Sequence, residues 1–125
     1  MKYSQLLVWQ KAMDLVADVY KLTGAFPQDE RFGLESQLRR AAVSVPANIA
    51  EGHGRKATRA YVNHVSIANG SLMEVETLVE IAARLRYLDL HQKDDILART
   101  DEIGKMLSGL RRSLNPRSSL LDPAS

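Results

Sequence analysis

The feature that most constrains how this chain folds is a run of apolar residues spaced alternately four and three apart. Tyr61, Val65, Ala68, Leu72, Val75, Val79 and Ala82 hold that rhythm, which returns side chains to one face of an α-helix and would scatter them over both faces of a strand. A second stripe, Leu78, Ile81, Leu85 and Leu88, widens the apolar face toward its end. The pattern predicts a helix over 57–88, and such a helix is stable in water only when other elements cover its apolar face.

The rest of the chain supplies three partners. Trp9, Met13, Val16 and Tyr20, beside Val8, Ala12, Leu15, Val19 and Leu22, predict an amphipathic helix over 6–22, with Thr23-Gly24 and Phe26-Pro27 ending it. Leu34, Leu38, Ala41, Val45 and Ile49 mark a second helix over about 28–52. Pro46 lies inside it without an N–H to donate, which predicts a kink or a division into two segments. Ile96, Thr100, Ile103, Leu107, Leu110 and Leu114 form the seam of a fourth helix. Gly70, unfavourable in a helix interior by about 1 kcal/mol relative to Ala, predicts a close helix contact. Short connections at 24–27, 53–56 and 89–92 make successive helices antiparallel neighbours. The expected fold is all-α: an up-down-up-down four-helix bundle over 1–114, followed by a flexible C-terminal tail over 115–125.

A chain of 125 residues, 45% hydrophobic, suits one such domain, and no internal repeat or strand pattern competes. The absence of cysteine removes disulfides, thiolate metal sites and cysteine nucleophiles. Lys11 and Asp14 interrupt the N-terminal apolar run, so it reads neither as a signal peptide nor as a membrane span. The expected setting is the cytoplasm, with no membrane partner.

The second helix has more than one face. Opposite its core stripe lie Val43, Ala47 and Ala50, small enough either to sit in water or to admit a helix of a second subunit. Between the two faces runs a polar stripe, Gln37, Arg40, Ser44, Asn48 and Glu51. A hairpin turning near 53–56 would set Arg39 and Arg40 near Ser71 and Glu74, and Glu51 near Arg59. Polar groups paired in that way fix helix register rather than perform chemistry.

Catalytic patterns are missing. No Glu-x-x-His pair of a di-iron bundle, no His-Glu-x-x-His, no Walker loop and no Gly-x-Ser-x-Gly elbow occurs. Gly52-His53-Gly54 follows a helix rather than a strand, so one of the glycines is expected to be a left-handed cap and His53 a loop residue. Neither a cofactor nor a metal is implied, and the chain is read as a non-enzyme.

Net charge is only +2, but residues 31–60 carry six cations against two carboxylates. Arg55, Lys56 and Arg59 cluster at a helix N-terminus, where free N–H groups also favour phosphate. Arg111, Arg112 and Arg117 follow at the end of the fourth helix, which a four-helix topology brings to the same end. These groups suit RNA or DNA, and equally suit a solvated, favourably charged helix end.

The runs QLRRAAVSVPANIAEGHGR, Gln37 to Arg55, and IANGSLMEVETLVEIAARL, Ile67 to Leu85, with VWQKAMDLV in the first helix, closely resemble the four-helix-bundle family of 23S rRNA intervening-sequence proteins. The chain is also similar to the accessory variability protein of diversity-generating retroelements. The resemblance spans residues 5–113 and implies a small cytoplasmic bacterial protein without enzymatic activity, assembled as a homopentameric ring. The related accessory protein implies further a basic surface that engages nucleic acid and a protein partner, a reverse transcriptase. The positions that match are Arg39, Arg40, Ser44, Asn48, Glu51, Gly52, Gly70, Ser71 and Glu74, which the resemblance marks as packing positions. The function expected is a homo-oligomeric accessory protein that binds nucleic acid through Arg55, Lys56, Arg59, Arg111 and Arg112, with Val43, Ala47 and Ala50 at the subunit interface. The alternative is a protein–protein scaffold with no nucleic-acid role.

Overall fold

The computed structural model describes residues 1–114, so the expected tail over 115–125, with Arg117, lies outside the described residues. Four helices follow one another: α1 (Leu7–Thr23), α2 (Leu34–His53), α3 (Thr58–Arg84) and α4 (Leu90–Leu114), with single turns of 3-10 helix at Tyr3–Gln5 and Gln28–Glu30. Each packs on its neighbours in the chain, α4 closes against α1, and the pairs α1/α3 and α2/α4 lie on the diagonals, their backbones farther apart. This is the antiparallel four-helix bundle expected. Among the described residues no helix is long and apolar enough to cross a membrane.

The core follows the periodic stripes. Leu34, Leu38, Ala41, Val45 and Ile49 of α2 are all buried, as are Val65, Ala68, Leu72, Val75, Val79 and Ala82 of α3. They meet Val8, Ala12, Leu15 and Val19 from α1 and Ile96, Ile103 and Leu107 from α4. The α1 stripe of Trp9, Met13, Val16 and Tyr20 is wetter than expected, with Met13 and Tyr20 exposed.

Two buried threonines are satisfied by charged neighbours. Thr100 donates to Glu76 Oε2 at 2.8 Å, joining α4 to α3. Thr23 donates to the Val19 carbonyl and accepts from Arg39 Nε at 2.8 Å. Arg39 also reaches the Tyr20 carbonyl and stacks its guanidinium 4.4 Å over the Tyr20 ring. Arg39 therefore seals the carbonyl end of α1, instead of meeting Ser71 and Glu74 on α3, and its fork uses both hydrogen bonding and cation–π attraction.

Several boundaries differ from expectation. Pro46 is buried within α2, and the helix continues through it from Leu34 to His53 as one element, so the proline does not divide it into two segments. The element begins at Leu34 rather than near residue 28, because Gln28–Glu30 forms its own turn and Glu30 Oε1 accepts the Leu34 N–H at 3.2 Å. No glycine has positive φ. Gly54 caps α2 in right-handed geometry, φ −77°, and Gly70 is exposed with nothing within 4 Å of where a Cβ would stand. Gly70 makes no close contact inside the bundle.

The left-handed cap falls elsewhere. α3 ends at Arg84, short of Leu88, in a turn where the Tyr87 N–H bonds the Ala82 carbonyl at 2.9 Å and the Arg86 N–H bonds the Ala83 carbonyl at 3.0 Å. This Schellman pattern sets Arg86 at φ 64°, the position that glycine normally takes. Arg86→Gly is therefore expected to raise stability by about 1 kcal/mol, read as a higher melting temperature.

Candidate nucleic-acid interface

The hairpin of α2 and α3 is held by a continuous polar line. Ser44 Oγ and Ser71 Oγ are 2.7 Å apart. Asn48 Nδ2 donates to the Ser44 carbonyl at 2.9 Å and lies 3.0 Å from Ser44 Oγ. With its amide nitrogen directed that way, Asn48 presents Oδ1 to His64 Nδ1 at 3.1 Å. The imidazole therefore carries its proton on Nδ1 and leaves Nε2 as an acceptor when neutral. Nε2 lies 4.0 Å from Glu51 Oε1, and Glu51 pairs with Arg55 at 2.9 Å.

Ser44, Asn48 and Glu51 thus lie along one line, as their spacing predicts, but their partners sit about one helical turn from the expected register. Ser71 meets Ser44 rather than Arg39 or Arg40, and the α3 side chain beside Glu51 is His64 rather than Arg59. Arg40 and Glu74 are exposed and form no ion pair among the described residues. His64, the centre of the line, was not singled out by its spacing. Its signal was position: it flanks the core stripe between Tyr61 and Val65.

The turn itself is pinned closely. Gly52 is buried, and a Cβ there would stand 2.7 Å from His64 Cβ and 3.2 Å from Tyr61 Cδ1. Its missing side chain lets the two helices touch. His53 is the last residue of α2 rather than a loop residue; Nε2 is 2.8 Å from the Met1 carbonyl and Nδ1 is 3.0 Å from the Tyr61 hydroxyl. A carbonyl only accepts, so Nε2 holds the proton and Tyr61 donates to Nδ1. Burial pushes the Tyr61 phenol above its usual pKa, which keeps that donor proton in place.

This pinned turn presents the cations. Arg55, Lys56 and Arg59 are all exposed; Arg55 is tied to Glu51, whereas Lys56 and Arg59 have no ion pair among the described residues. α3 begins beside them after Ala57, which supplies no side-chain cap. Its first N–H groups are thus open to an anion. Arg111 and Arg112 are exposed in the last turn of α4, at the same end of the bundle. α4 packs on α3, the helix that carries Arg59, and Arg112 borders the α3/α4 groove with Lys105 and Glu76.

Val43 and Ala47 are exposed on the outer side of α2 and Ala50 is half-buried. The Ser44–Ser71 bond brings this strip alongside Ile67, itself 43% exposed, and Gly70. The described residues hold no group of three or more His, Asp and Glu side chains placed to bind a metal.

Comparison with known proteins agrees with this architecture. A search of curated proteins found no match. A solved structure of a protein of unknown function from the S23 ribosomal protein family of Bacteroides thetaiotaomicron is 24% identical, covers 85% of this chain and 99% of its own, and superposes with a TM-score of 0.77. At that identity the likeness concerns the fold. The family described as 23S rRNA-intervening sequence protein matches residues 4–109, nearly the whole bundle including the Ser44–Gly52 line, and the chain belongs to that family.

Proposed function

We propose that this protein is a non-enzymatic, cytoplasmic, homo-oligomeric accessory protein that binds structured RNA or duplex DNA through Arg55, Lys56 and Arg59, aided by Arg111 and Arg112. The observation that carries this reading is the α2–α3 turn: unpaired Lys56 and Arg59 stand beside the uncapped N-terminus of α3, on a turn pinned by Gly52, His53 and Tyr61. Pre-positioned cations and backbone N–H groups favour phosphate without ordering the loop on binding. The net charge of +2 makes each monomer a weak binder. A ring, of five copies as the family resemblance implies, would repeat the site and raise avidity.

The test is retention of a structured RNA and a duplex DNA at low salt. Wild-type protein is expected to bind, with affinity falling steeply as salt rises. Replacing Arg55, Lys56 and Arg59 together by Ala should flatten the salt dependence by about 2–3 in log–log slope. No binding at low salt, or no change in the variant, sinks the reading.

The scaffold alternative draws on a different observation. Val43 and Ile67 are 41% and 43% exposed, beside Ala47 and the open Gly70, which suits close approach of a second copy. Ala47→Glu is expected to dissociate the assembly, shifting the solution mass toward the 13.9 kDa monomer while leaving the helical signal intact. A wild-type protein already monomeric at that mass would dispose of the oligomer.

A further inference from the structure

The end of the bundle opposite the α2–α3 turn carries an exposed aromatic ring among unpaired arginines. Phe32 is 89% exposed, and the Arg31 guanidinium lies 5.6 Å from its ring centroid. Beside it runs the α3–α4 connection with Arg84 and Arg86, both exposed. The two loops are locked together: Tyr87 donates to Glu30 Oε2 at 3.0 Å and its ring packs 5.5 Å from that of Phe26.

The tip is rigidly built. Glu30 Oε1 accepts the Leu34 N–H, and the Gly33 N–H bonds the Glu30 carbonyl at 3.0 Å. A Cβ on Gly33 would stand 2.8 Å from Glu30 Oε1, the end of a flexible side chain, so the turn is held by the Glu30 hydrogen bonds rather than by the glycine. Arg86 holds the left-handed cap position, where glycine would be less strained.

The charges show what this surface fits. Glu30 is engaged by Tyr87 and Leu34, and Asp89 caps α4 through the Gln92 N–H at 2.7 Å. Lys93 pairs with Glu80. Arg31, Arg84 and Arg86 have no ion pair among the described residues; of the three carboxylates in the two loops, Glu30 and Asp89 are turned into hydrogen bonds within the loops and Asp29 is exposed, so the guanidinium groups stay open to a ligand. A flat aromatic face beside the Arg31 guanidinium, with two further unpaired guanidinium groups on the loop that Tyr87 locks to it, matches a polyanion that carries flat, unstacked rings.

We propose that Phe32 and Arg31, with Arg84 and Arg86, form a stacking platform for unpaired nucleotides of a single-stranded nucleic acid. The platform lies at the end opposite the cationic turn, and it rests on the reading that the protein binds nucleic acid. Base–aromatic stacking tolerates any base and is lost with the ring, whereas guanidinium–phosphate contact is lost with salt.

Fluorescence anisotropy with labelled oligouridine and oligoadenosine dodecamers, against a blunt RNA duplex of the same length, tests it on the full chain. Phe32→Ala is expected to weaken single-strand binding about tenfold, with duplex binding and melting temperature unchanged. Phe32→Trp should retain the affinity and Phe32→Leu should not. Arg86→Gly should bind the single strand less well while melting higher.

Unchanged single-strand affinity in Phe32→Ala overturns the platform. So does rescue by Phe32→Leu, which signals simple apolar docking, or Phe32-dependent binding to phosphatidylglycerol vesicles without binding to RNA. The triple variant of Arg55, Lys56 and Arg59 separates the two readings. Loss there alone overturns only the platform, loss in Phe32→Ala alone overturns only the cationic turn, and no binding of either nucleic acid overturns both.

Discussion

Gly52→Ala is expected to lower the melting temperature by roughly 10 °C, the loss that follows from about 2–3 kcal/mol in a domain of this size. In most helix interiors the same change helps, because alanine is favoured over glycine by about 1 kcal/mol. Here the new methyl would stand 2.7 Å from His64 Cβ and 3.3 Å from the Tyr61 carbonyl. Neither atom is the end of a flexible chain. Relief therefore requires α2 and α3 to move apart, which loosens the His53–Tyr61 bond and the Asn48–His64 bond together. Gly109 gives the control, since nothing lies within 4 Å of its missing Cβ. Gly109→Ala should stabilise by up to about 1 kcal/mol. Thermal melts showing the same sign for both variants would contradict the close approach at Gly52.

The contrast between these glycines explains what the sequence does and does not disclose. Core positions were legible because burial follows a 3.6-residue period, and every residue of the 34-to-49 stripe in α2 is buried. Gly52 continues that stripe three residues after Ile49, which was the signal for a packing role. A glycine near a helix end also fits a cap, and chain-end chemistry took precedence over periodicity. The left-handed cap fell instead on Arg86, where no residue preference announces it.

Register was harder to read than burial. The polar stripe of α2 was visible, but its partners depend on the angle and closeness of two helices, which Gly52 sets. A shift of one turn exchanges Arg59 for His64 as the neighbour of Glu51. The cationic turn was legible because like charges cluster in sequence. Phe32 was not, since a single apolar residue in a turn gives no periodicity and its exposure depends on how the Glu30 hydrogen bonds close the loop.

Asn48→Leu is the second change with a large expected effect. Asn48 uses both ends of its amide, donating to Ser44 and accepting from His64 Nδ1, at a site where the His64 side chain is only 15% exposed. Leucine fills a similar volume but leaves the imidazole N–H without a partner. An unmet buried donor costs about 1–3 kcal/mol, whereas replacing both partners by apolar groups can be nearly neutral. Adding His64→Leu should therefore restore at least half of the stability lost in Asn48→Leu. A denaturant-based double-mutant cycle should show coupling of about 1 kcal/mol or more. The same pair of variants separates register from chemistry. If the line from Ser71 to Glu51 only orients α2 against α3, the double variant should bind RNA as the wild type does, because Lys56 and Arg59 remain on a folded turn. A double variant that is stable yet unable to bind would make His64 part of the binding surface and overturn its assignment as a structural pin.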